Sequence, residues 1–266
     1  MSEPAGRVLV GVQGFSASSW AGVFYPPDLP ANRQLAFYAQ VFDTVELDVT
    51  FYTLPSVAAI RSWMDNTPEG FTFCAKMPRA ITHDKRLKDV DDELRAVGGM
   101  LDLFENKMGA MVIQFPRAFT RREEPALRAF LPKLPAGRRF AVEFRHPSWN
   151  DPQVLELLER HGIAWCLNEW RDLPTVIATT AGWSYVRLVG FHRDAVGAGE
   201  VLRDRSERLA FWGQTLGELR QRLDTVYVYV NNHYTGYAPA TVTALRQLLG
   251  QPTIDPRTLW PQPPLL

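Results

Sequence analysis

Cysteine is scarce in this sequence, and long apolar runs, net charge and a signal peptide are all missing. The two cysteines, Cys74 and Cys166, each lie in an apolar segment, which excludes a disulfide framework and a CxxC motif and predicts two buried thiols. No segment reaches the roughly 20 apolar residues that a membrane-spanning helix needs. The opening residues, MSEPAGRVLV, lack the charged and apolar regions of a signal peptide. We therefore expect a soluble, cytoplasmic protein without a membrane partner.

Charge is balanced, because 29 Lys and Arg residues are matched by 29 Asp and Glu residues. Without a net field the protein has no general attraction for a polyanion, so the composition does not support nucleic acid as a partner. Hydrophobic residues make up 46% of the chain, which is enough to bury a large core. We expect a small molecule as the partner, and the sequence does not indicate an oligomeric state.

Short segments rich in β-branched and aromatic residues alternate with helical patterns, which is typical of parallel βαβ units. The segment after the first strand reads GVQGFSASSW and lacks the glycine-rich phosphate turn of an open doubly wound sheet. The pattern therefore predicts a single TIM-type (β/α)8 barrel domain over residues 1–266. The region of the seventh βα unit is expected to be irregular, since the linker 170–182 has the weakest helical pattern. The predicted strands are Val8–Phe15, Thr44–Phe51, Phe71–Met77, Ala110–Phe115, Arg139–Arg145, Ile163–Glu169, Ser184–Val189 and Thr225–Asn231.

Polar side chains occupy the inward positions of these strands. Successive strand residues face opposite sides, so the apolar alternation of a segment such as VELDVT directs its polar residues into the barrel. Barrel interiors are ordinarily filled with branched apolar side chains, and barrel enzymes carry their active sites at the carboxyl ends of the strands. Because an unpaired charge in that interior is costly, the inward polar set predicts a functional site. Its members are Glu46, Asp48, Lys76, Gln114, Glu143, Arg145, Asn168, Arg187 and one of the two residues Asn231 and Asn232.

The three carboxylates and three bases of this set allow several interpretations. They could neutralise one another as a structural ion-pair network. Glu46 and Glu143 could act as acid and base, with pKa values separated by unlike neighbours. The carboxylates could instead hold a divalent metal together with a histidine. Because Lys76, Arg145 and Arg187 compete for the same carboxylates, the set favours an anionic ligand. No cofactor is predicted, and a divalent metal is kept as an alternative.

Histidines and aromatic residues follow several of the strands. His83 and His146 are candidate proton shuttles, because imidazole titrates near pH 6.5. His192 and His233 follow later strands and are further candidates. Aromatic side chains such as Tyr52 and Trp149 also follow strands, where they could form a wall of a ligand pocket.

Seven ordered segments of the chain resemble the domain-of-unknown-function 72 family, also called YecE-like: SSWAGVFYP, TVELDVTFYTLP, FTFCAKMPRAITH, GAMVIQFP, AVEFRHPSW, YVRLVG and VYVYVNNHYTGYAP. The resemblance covers nearly the whole chain and implies a TIM-type barrel. Two positions depart from the familiar pattern, since Gly14 is followed by Phe15 where a tryptophan is common and Asp48 stands in place of asparagine. The positions carried over from the family pattern are Glu46, Thr50, Phe51, Tyr52, Lys76, Arg79, His83, Gln114, Glu143, Arg145, His146, Trp149, Arg187, Asn231 and Asn232.

The resemblance carries no established reaction, so the function is predicted from the polar set. We expect an enzyme of the hydrolase, isomerase or lyase type that acts on a small, polar, anionic substrate. Glu46, Glu143, His83 and His146 are the catalytic candidates. A non-catalytic protein that binds an anionic ligand is one alternative, and a metal-dependent phosphoester or nucleic-acid hydrolase is another. The predicted substrate-binding residues are Asp48, Tyr52, Lys76, Arg79, Gln114, Arg145, Trp149, Asn168, Arg187, Asn231 and Asn232.

Overall fold

The computed structural model describes residues 5–170, 173–190, 194–197 and 199–261. Eight parallel strands pair in sequence order, and the eighth pairs with the first, so the sheet is a closed barrel. This confirms the predicted TIM-type (β/α)8 fold. Since neighbouring strands run in the same direction, their carboxyl ends all lie at the same end of the barrel. The strands are β1 Arg7–Gln13, β2 Thr44–Leu47, β3 Thr72–Lys76, β4 Met108–Gln114, β5 Phe140–Glu143, β6 Ala164–Glu169, β7 Trp183–Leu188 and β8 Thr225–Val230.

Helices connect most of the strands. Within the described residues, none is both long and apolar enough to cross a membrane. The linker between β6 and β7 contains no helix over its described residues 173–182, in agreement with the irregular stretch expected there. The helices are α1 Gln34–Val41, α2 Val57–Asp65, α3 Asp91–Leu103, α4 Glu124–Phe130, α5 Pro152–Arg160, α6 Ser206–Leu219, α7 Asn232–Thr235 and α8 Ala238–Leu248.

The barrel interior and the layer between strands and helices form two separate apolar clusters. Alternation along each strand produces them, because one set of residues faces the barrel axis and the next faces the helices. Cys74 and Cys166 belong to the interior cluster as free, buried thiols, as the sequence predicts. The interior is also rich in tyrosine, and Tyr185, Tyr227 and Tyr229 fill much of it. Above this cluster, at the carboxyl ends of the strands, the inward residues become polar.

The second strand is shorter than predicted. It ends at Leu47, and residues Asp48–Phe51 form a 3-10 turn. The Thr50 hydroxyl donates to the Lys76 carbonyl at 2.7 Å and accepts from the Lys76 amide at 3.0 Å. The Thr50 side chain therefore takes the place of backbone hydrogen bonds between this segment and β3. The prediction that Asp48 and Thr50 occupy inward strand positions is wrong, and Asp48 instead lies at the rim of the barrel.

Candidate functional site

Arg187 lies at the centre of the polar end of the barrel, on β7. Its guanidinium donates to Glu46 Oε2 at 2.9 Å and Glu46 Oε1 at 2.7 Å, which is a bidentate pair. It also donates to Gln114 Oε1 at 3.2 Å and to Glu143 Oε2. The Tyr185 hydroxyl donates to Glu46 Oε2 at 2.6 Å. These five residues, Glu46, Gln114, Glu143, Tyr185 and Arg187, are called the floor network below.

The floor network is closed to solvent. Glu46 and Glu143 have no exposed surface, and Arg187 is 2% exposed. A guanidinium has five N–H donors, and four hydrogen bonds of Arg187 go to other members of the network. Asp48 Oδ1 lies 3.7 Å from Nη2, which is too far for a hydrogen bond. Four of the five donors of Arg187 are therefore used within the network, and the prediction that Arg187 binds a substrate anion directly stays a prediction.

The two carboxylates of the floor network differ in proton affinity. Burial opposes ionisation of Glu143, but Arg145 and Arg187 together outweigh it and lower the pKa of Glu143 to about 2. Glu46 pairs with Arg187, which also bonds to Glu143. Burial raises the pKa of Glu46 above the ordinary value of 4.5, and the negative charge of Asp48 acts in the same direction. Unlike neighbours thus separate the pKa values of the pair in the way expected of acid and base groups.

Lys76 is the last residue of β3 and lies beside the floor network. Its ammonium nitrogen lies 3.9 Å from the centroid of the Phe51 ring, a cation–π contact. Among the described residues, no carboxylate oxygen lies within 4.0 Å of this nitrogen. Burial, reinforced by the positive charge of Arg187, lowers the pKa of Lys76 from 10.5 to about 8. The predicted set of three bases therefore contains one cation without an ion-pair partner.

Arg145 follows the end of β5 and reaches back over the floor network. Its Nε donates to Glu143 Oε1 at 2.6 Å, and its guanidinium stacks over the Trp170 ring at 4.1 Å. The side chain is 14% exposed. Because the bond to Glu143 uses Nε, Arg145 can hold this carboxylate and offer the donors of its terminal nitrogens to a ligand.

Two buried polar atoms at the rim have no hydrogen-bond partner. One is Asp48 Oδ1, an acceptor, and the other is Gln13 Nε2, a donor. Gln13 is held by Asn231, whose Nδ2 donates to Gln13 Oε1 at 2.9 Å. Buried polar groups are ordinarily satisfied, so each of these atoms marks a place for a polar ligand atom or a water. Gln13, Asp48, Lys76, Arg145 and Asn231 are called the rim residues below.

Sequence reasoning missed Gln13 and Tyr185 as site residues. The signal for Gln13 was present, because it is the last residue of β1 and pairs in register with Glu46. Tyr185 precedes Arg187 by two positions on the same strand, so alternation places both on the inner face. Both residues have mostly apolar neighbours in the sequence, in GVQG and SYVRL, so they were not recognised as polar site residues.

Several predicted residues lie beside the site rather than in it. His83 Nδ1 is 2.8 Å from the Thr82 hydroxyl, and its ring packs edge-on against Phe51, with centroids 5.0 Å apart. Burial, together with the charges of Lys76 and Arg79, lowers the pKa of His83 to about 4. Arg79 pairs with Asp84 at 3.2 Å on the surface. Tyr52 is 78% exposed beyond Phe51.

The side chains of Trp149 and Asn232 are bonded within the protein, and their predicted roles in substrate binding stay predictions. The Trp149 indole is buried between Phe119 and Phe144 and donates to the Phe119 carbonyl at 2.8 Å, so it packs the loops. Asn232 Oδ1 accepts from Trp20 Nε1 and from the Ala238 amide, which fixes the start of α8.

His146 is likewise engaged locally. Its Nδ1 lies 2.7 Å from the Ser148 hydroxyl and accepts from the Ser148 amide, which caps the turn Pro147–Trp149. Its ring lines a shallow surface cleft together with Asn168, and Asn168 Nδ2 donates to the Phe144 carbonyl at 3.4 Å. A proton shuttle at His146 would need a ligand that reaches this cleft. His233 Nδ1 lies 2.9 Å from the Asp194 carbonyl oxygen, and His192 lies outside the described residues.

Across the described part of the chain, no group of three or more His, Cys, Asp or Glu side chains is arranged to hold a metal ion. The reason is visible at the floor, where Arg187 lies between Glu46 and Glu143 and bonds to both. The cation that balances these carboxylates is therefore part of the chain itself.

The fold and the strand-end cluster define a parallel (β/α)8 barrel with a charged polar end. Comparison with known proteins identifies the family, since residues 9–264 match the family described as "Protein of unknown function DUF72". The chain belongs to this family, as its seven segments predict. The UPF0759 protein YecE of Escherichia coli is 35% identical over 112 residues, which cover 42% of this chain and 41% of YecE, so that match spans less than half of either protein.

Two other relatives cover most of the chain. The UPF0759 protein YunF of Bacillus subtilis is 26% identical over 255 residues, covering 85% of this chain and 89% of YunF. The crystal structure of a DUF72 family protein from Thermotoga maritima superposes with a TM-score of 0.80 at 30% identity and covers 92% of this chain and all of that one. These relatives share the barrel and the family, and their names carry no reaction.

Proposed function

We propose that this protein is an enzyme that acts on a small, polar, anionic substrate at the carboxyl ends of the barrel strands. One observation carries the proposal: the floor network is closed, while the rim beside it keeps an unpaired cation. Glu46 and Glu143 are balanced by Arg187 and Arg145 within the protein. Among the residues that the structure describes, Lys76 has no carboxylate oxygen within 4.0 Å, which is not expected of a network built only for stability.

The rim residues offer complementary contacts to such a substrate. Lys76 and the terminal nitrogens of Arg145 supply positive charge for a carboxylate or phosphate. Gln13 Nε2 supplies a buried donor and Asp48 Oδ1 a buried acceptor, and a substrate hydroxyl can accept from the first or donate to the second. Glu46 and Glu143 lie underneath and act on the rim through Arg187 and Arg145. They are proposed as positioning residues, and Asp48 and Lys76 as the groups that meet the substrate.

The anion preference is tested first, by thermal unfolding with inorganic phosphate, pyruvate or glucose 6-phosphate. We expect at least one anion to raise the melting temperature of the wild type and to have no effect on Lys76→Met. Arg95→Met is the matched control, since Arg95 forms an exposed helical pair with Asp92 and should respond as the wild type does. Equal responses of wild type and Lys76→Met would overturn the assignment of Lys76 as the anion contact.

Turnover is tested separately, by incubation with a metabolite extract followed by mass spectrometry. An enzyme forms new products, and Asp48→Asn should abolish them while Asp92→Asn, at an exposed position, should not. A non-catalytic binder retains a ligand without product formation, and that result would replace the enzyme by the binding protein that the same rim allows. Asp48 is suited to this test because it lies outside the closed floor network, so its loss leaves the buried ion pairs intact.

A further inference from the structure

Lys76 is unusual among the lysines of this chain. The sequence has only five lysines, at positions 76, 85, 88, 107 and 133, and the rest of its positive charge is arginine. The structure pairs Lys85 with Glu93 and Lys133 with Asp91, each at an exposed site. Lys107 Nζ donates to the carbonyls of Met64 and Thr67. Lys88 is exposed. Lys76 lies partly buried at the site end of the barrel, and within the described ranges its ammonium nitrogen contacts the Phe51 ring and no carboxylate.

The backbone and the ring beneath Lys76 hold it in place. Its amide and carbonyl are both bonded to the Thr50 hydroxyl, so the end of β3 is fixed to the turn that carries Asp48. The ammonium nitrogen lies over the Phe51 ring, 3.9 Å from its centroid, and the same ring packs edge-on against His83. Burial and the like charges of Arg187 and Arg145 disfavour the ammonium, Asp48 and Glu143 favour it, and the balance lowers the pKa of Lys76 to about 8. These are the surroundings in which a lysine becomes a nucleophile.

We propose that Lys76 forms an imine with the carbonyl group of a small substrate that also carries a carboxylate or phosphate. The inference rests on the proposed function, because it assumes that the rim accepts a small anion. Arg145 holds the anionic group, and the carbonyl carbon lies over Lys76 Nζ. An arginine at position 76 would supply the same charge and could not react in this way, so the lysine itself points to covalent chemistry.

The step balances without an added oxidant or reductant. The neutral amine of Lys76 attacks the carbonyl carbon, and the C–N bond forms as the π electrons of the C=O bond move to the oxygen, which takes a proton from solvent. The amine nitrogen then gives one proton through a water molecule to the Asp48 carboxylate, since no carboxylate oxygen of the described residues lies within 4.0 Å of Lys76 Nζ, and Asp48 returns that proton to the hydroxyl of the carbinolamine. That hydroxyl leaves as water while the C=N bond forms. The positively charged imine then draws electrons from the neighbouring C–H or C–C bond of the substrate.

Reductive trapping tests the proposal. The full-length protein is treated at pH 7.5 with glyoxylate and sodium cyanoborohydride, and modified lysines are located by peptide mass spectrometry. We expect Lys76 to be modified at least ten times faster than Lys88, with a half-maximal rate near pH 8. The Lys76→Arg variant should lose this modification and keep the folded circular dichroism spectrum and the anion-dependent rise in melting temperature. Formaldehyde, which has no anionic group, serves as the control aldehyde and should show a smaller preference for Lys76 over Lys88.

The outcomes separate this inference from the proposed function. If glyoxylate modifies Lys76 no faster than Lys88 while phosphate or pyruvate still stabilises the wild type, the imine is overturned and the anion site stands. Should neither trapping nor anion stabilisation occur, both proposals are overturned. A preference for Lys76 that is equal for formaldehyde and glyoxylate overturns the anionic substrate class.

Discussion

Replacement of Arg187 by methionine tests the physical role of the floor network. The change removes the four hydrogen bonds of the guanidinium and leaves Glu46 without its counter-ion in a site with no exposed surface. Removing one partner of a buried ion pair costs about 3–5 kcal/mol, because the remaining charge is uncompensated. At roughly 2–4 °C per kcal/mol for a chain of this size, we expect a fall in melting temperature of about 6–20 °C.

A second substitution identifies which charge causes the loss. In Glu46→Gln/Arg187→Met, the remaining Glu143 still pairs with Arg145 Nε at 2.6 Å, so the site is neutral again. We expect the double variant to recover at least half of the stability that Arg187→Met loses. Its recovery would show that the cost lies in the stranded carboxylate of Glu46 and not in the lost volume of the arginine side chain.

The loss of stability in Arg187→Met should also depend on pH. Its direction follows from whether the folded or the unfolded state binds more protons. Without Arg187, burial raises the folded-state pKa of the stranded Glu46 carboxylate above the unfolded value, so folding of the variant is penalised above that raised pKa. The penalty disappears as the pH falls and the carboxylate takes up a proton. Urea unfolding followed by tryptophan fluorescence should therefore give a larger difference from wild type at pH 8 than at pH 5. A difference below about 1 kcal/mol at pH 8, comparable to that of the surface control Arg95→Met, would refute this account.

Other predictions address single residues. Because the pKa of Glu143 is about 2 when folded and 4.5 ordinarily, its stabilising contribution is complete above pH 4.5 and is lost as the pH falls towards 2; urea unfolding at pH 5 and pH 3 should show a larger loss for wild type than for Glu143→Gln. NMR titration of the histidine ring protons should place the midpoint of His83 near pH 4, and a midpoint near 6.5 would contradict its burial beside Lys76. Trp149→Phe removes the bond to the Phe119 carbonyl and should cost about 1–3 kcal/mol in urea unfolding without changing the response to anions. Gly190→Ala places a Cβ atom 1.8 Å from the His233 carbonyl oxygen and should cost at least about 3 kcal/mol, whereas Gly99→Ala, with open space around it, should stabilise α3 by about 0.5–1 kcal/mol.

The strands and their inner faces could be predicted because alternation is a local property of the sequence. All eight strands occur where the apolar segments lie, and the carboxylates at 46 and 143 face inward as their phase requires. The end of β2 could not be predicted in this way. The apolar alternation continues through Val49 and Phe51, but the Thr50 hydroxyl bonds to the backbone of Lys76 and turns the chain out of the sheet. That bond joins residues 26 positions apart, and no local pattern reports it.

The sequence also could not predict which groups the inward charged side chains bond to. Alternation places Arg187 among the inward residues but does not say whether its donors point to a ligand or to the protein. The answer depends on the distances between β2, β4, β5 and β7, which meet only in the closed barrel. His146 and Trp149 illustrate the same limit. Both follow a strand at the carboxyl end of the barrel, yet the Ser148 amide donates to His146 Nδ1 and the Trp149 indole donates to the Phe119 carbonyl within the loops.

The proposed chemistry divides two roles between the two cations of the rim. Arg145 stays charged at every physiological pH, so it can hold the anionic group of a substrate throughout a reaction. Lys76 must lose its proton to attack a carbonyl carbon, and a pKa of about 8 leaves about a tenth of it neutral at pH 7, against roughly 0.03% at the ordinary value of 10.5. Burial of Lys76 is the first cause of that gain in neutral amine, and the charge of Arg187 adds to it, while the charges of Asp48 and Glu143 oppose it. In the proposed mechanism the arginine of the floor network therefore contributes to the reactivity of the neighbouring lysine as well as to stability. Replacing Arg187 together with Glu46 should restore the fold, raise the pKa of Lys76 and slow its trapping by glyoxylate at pH 7.5.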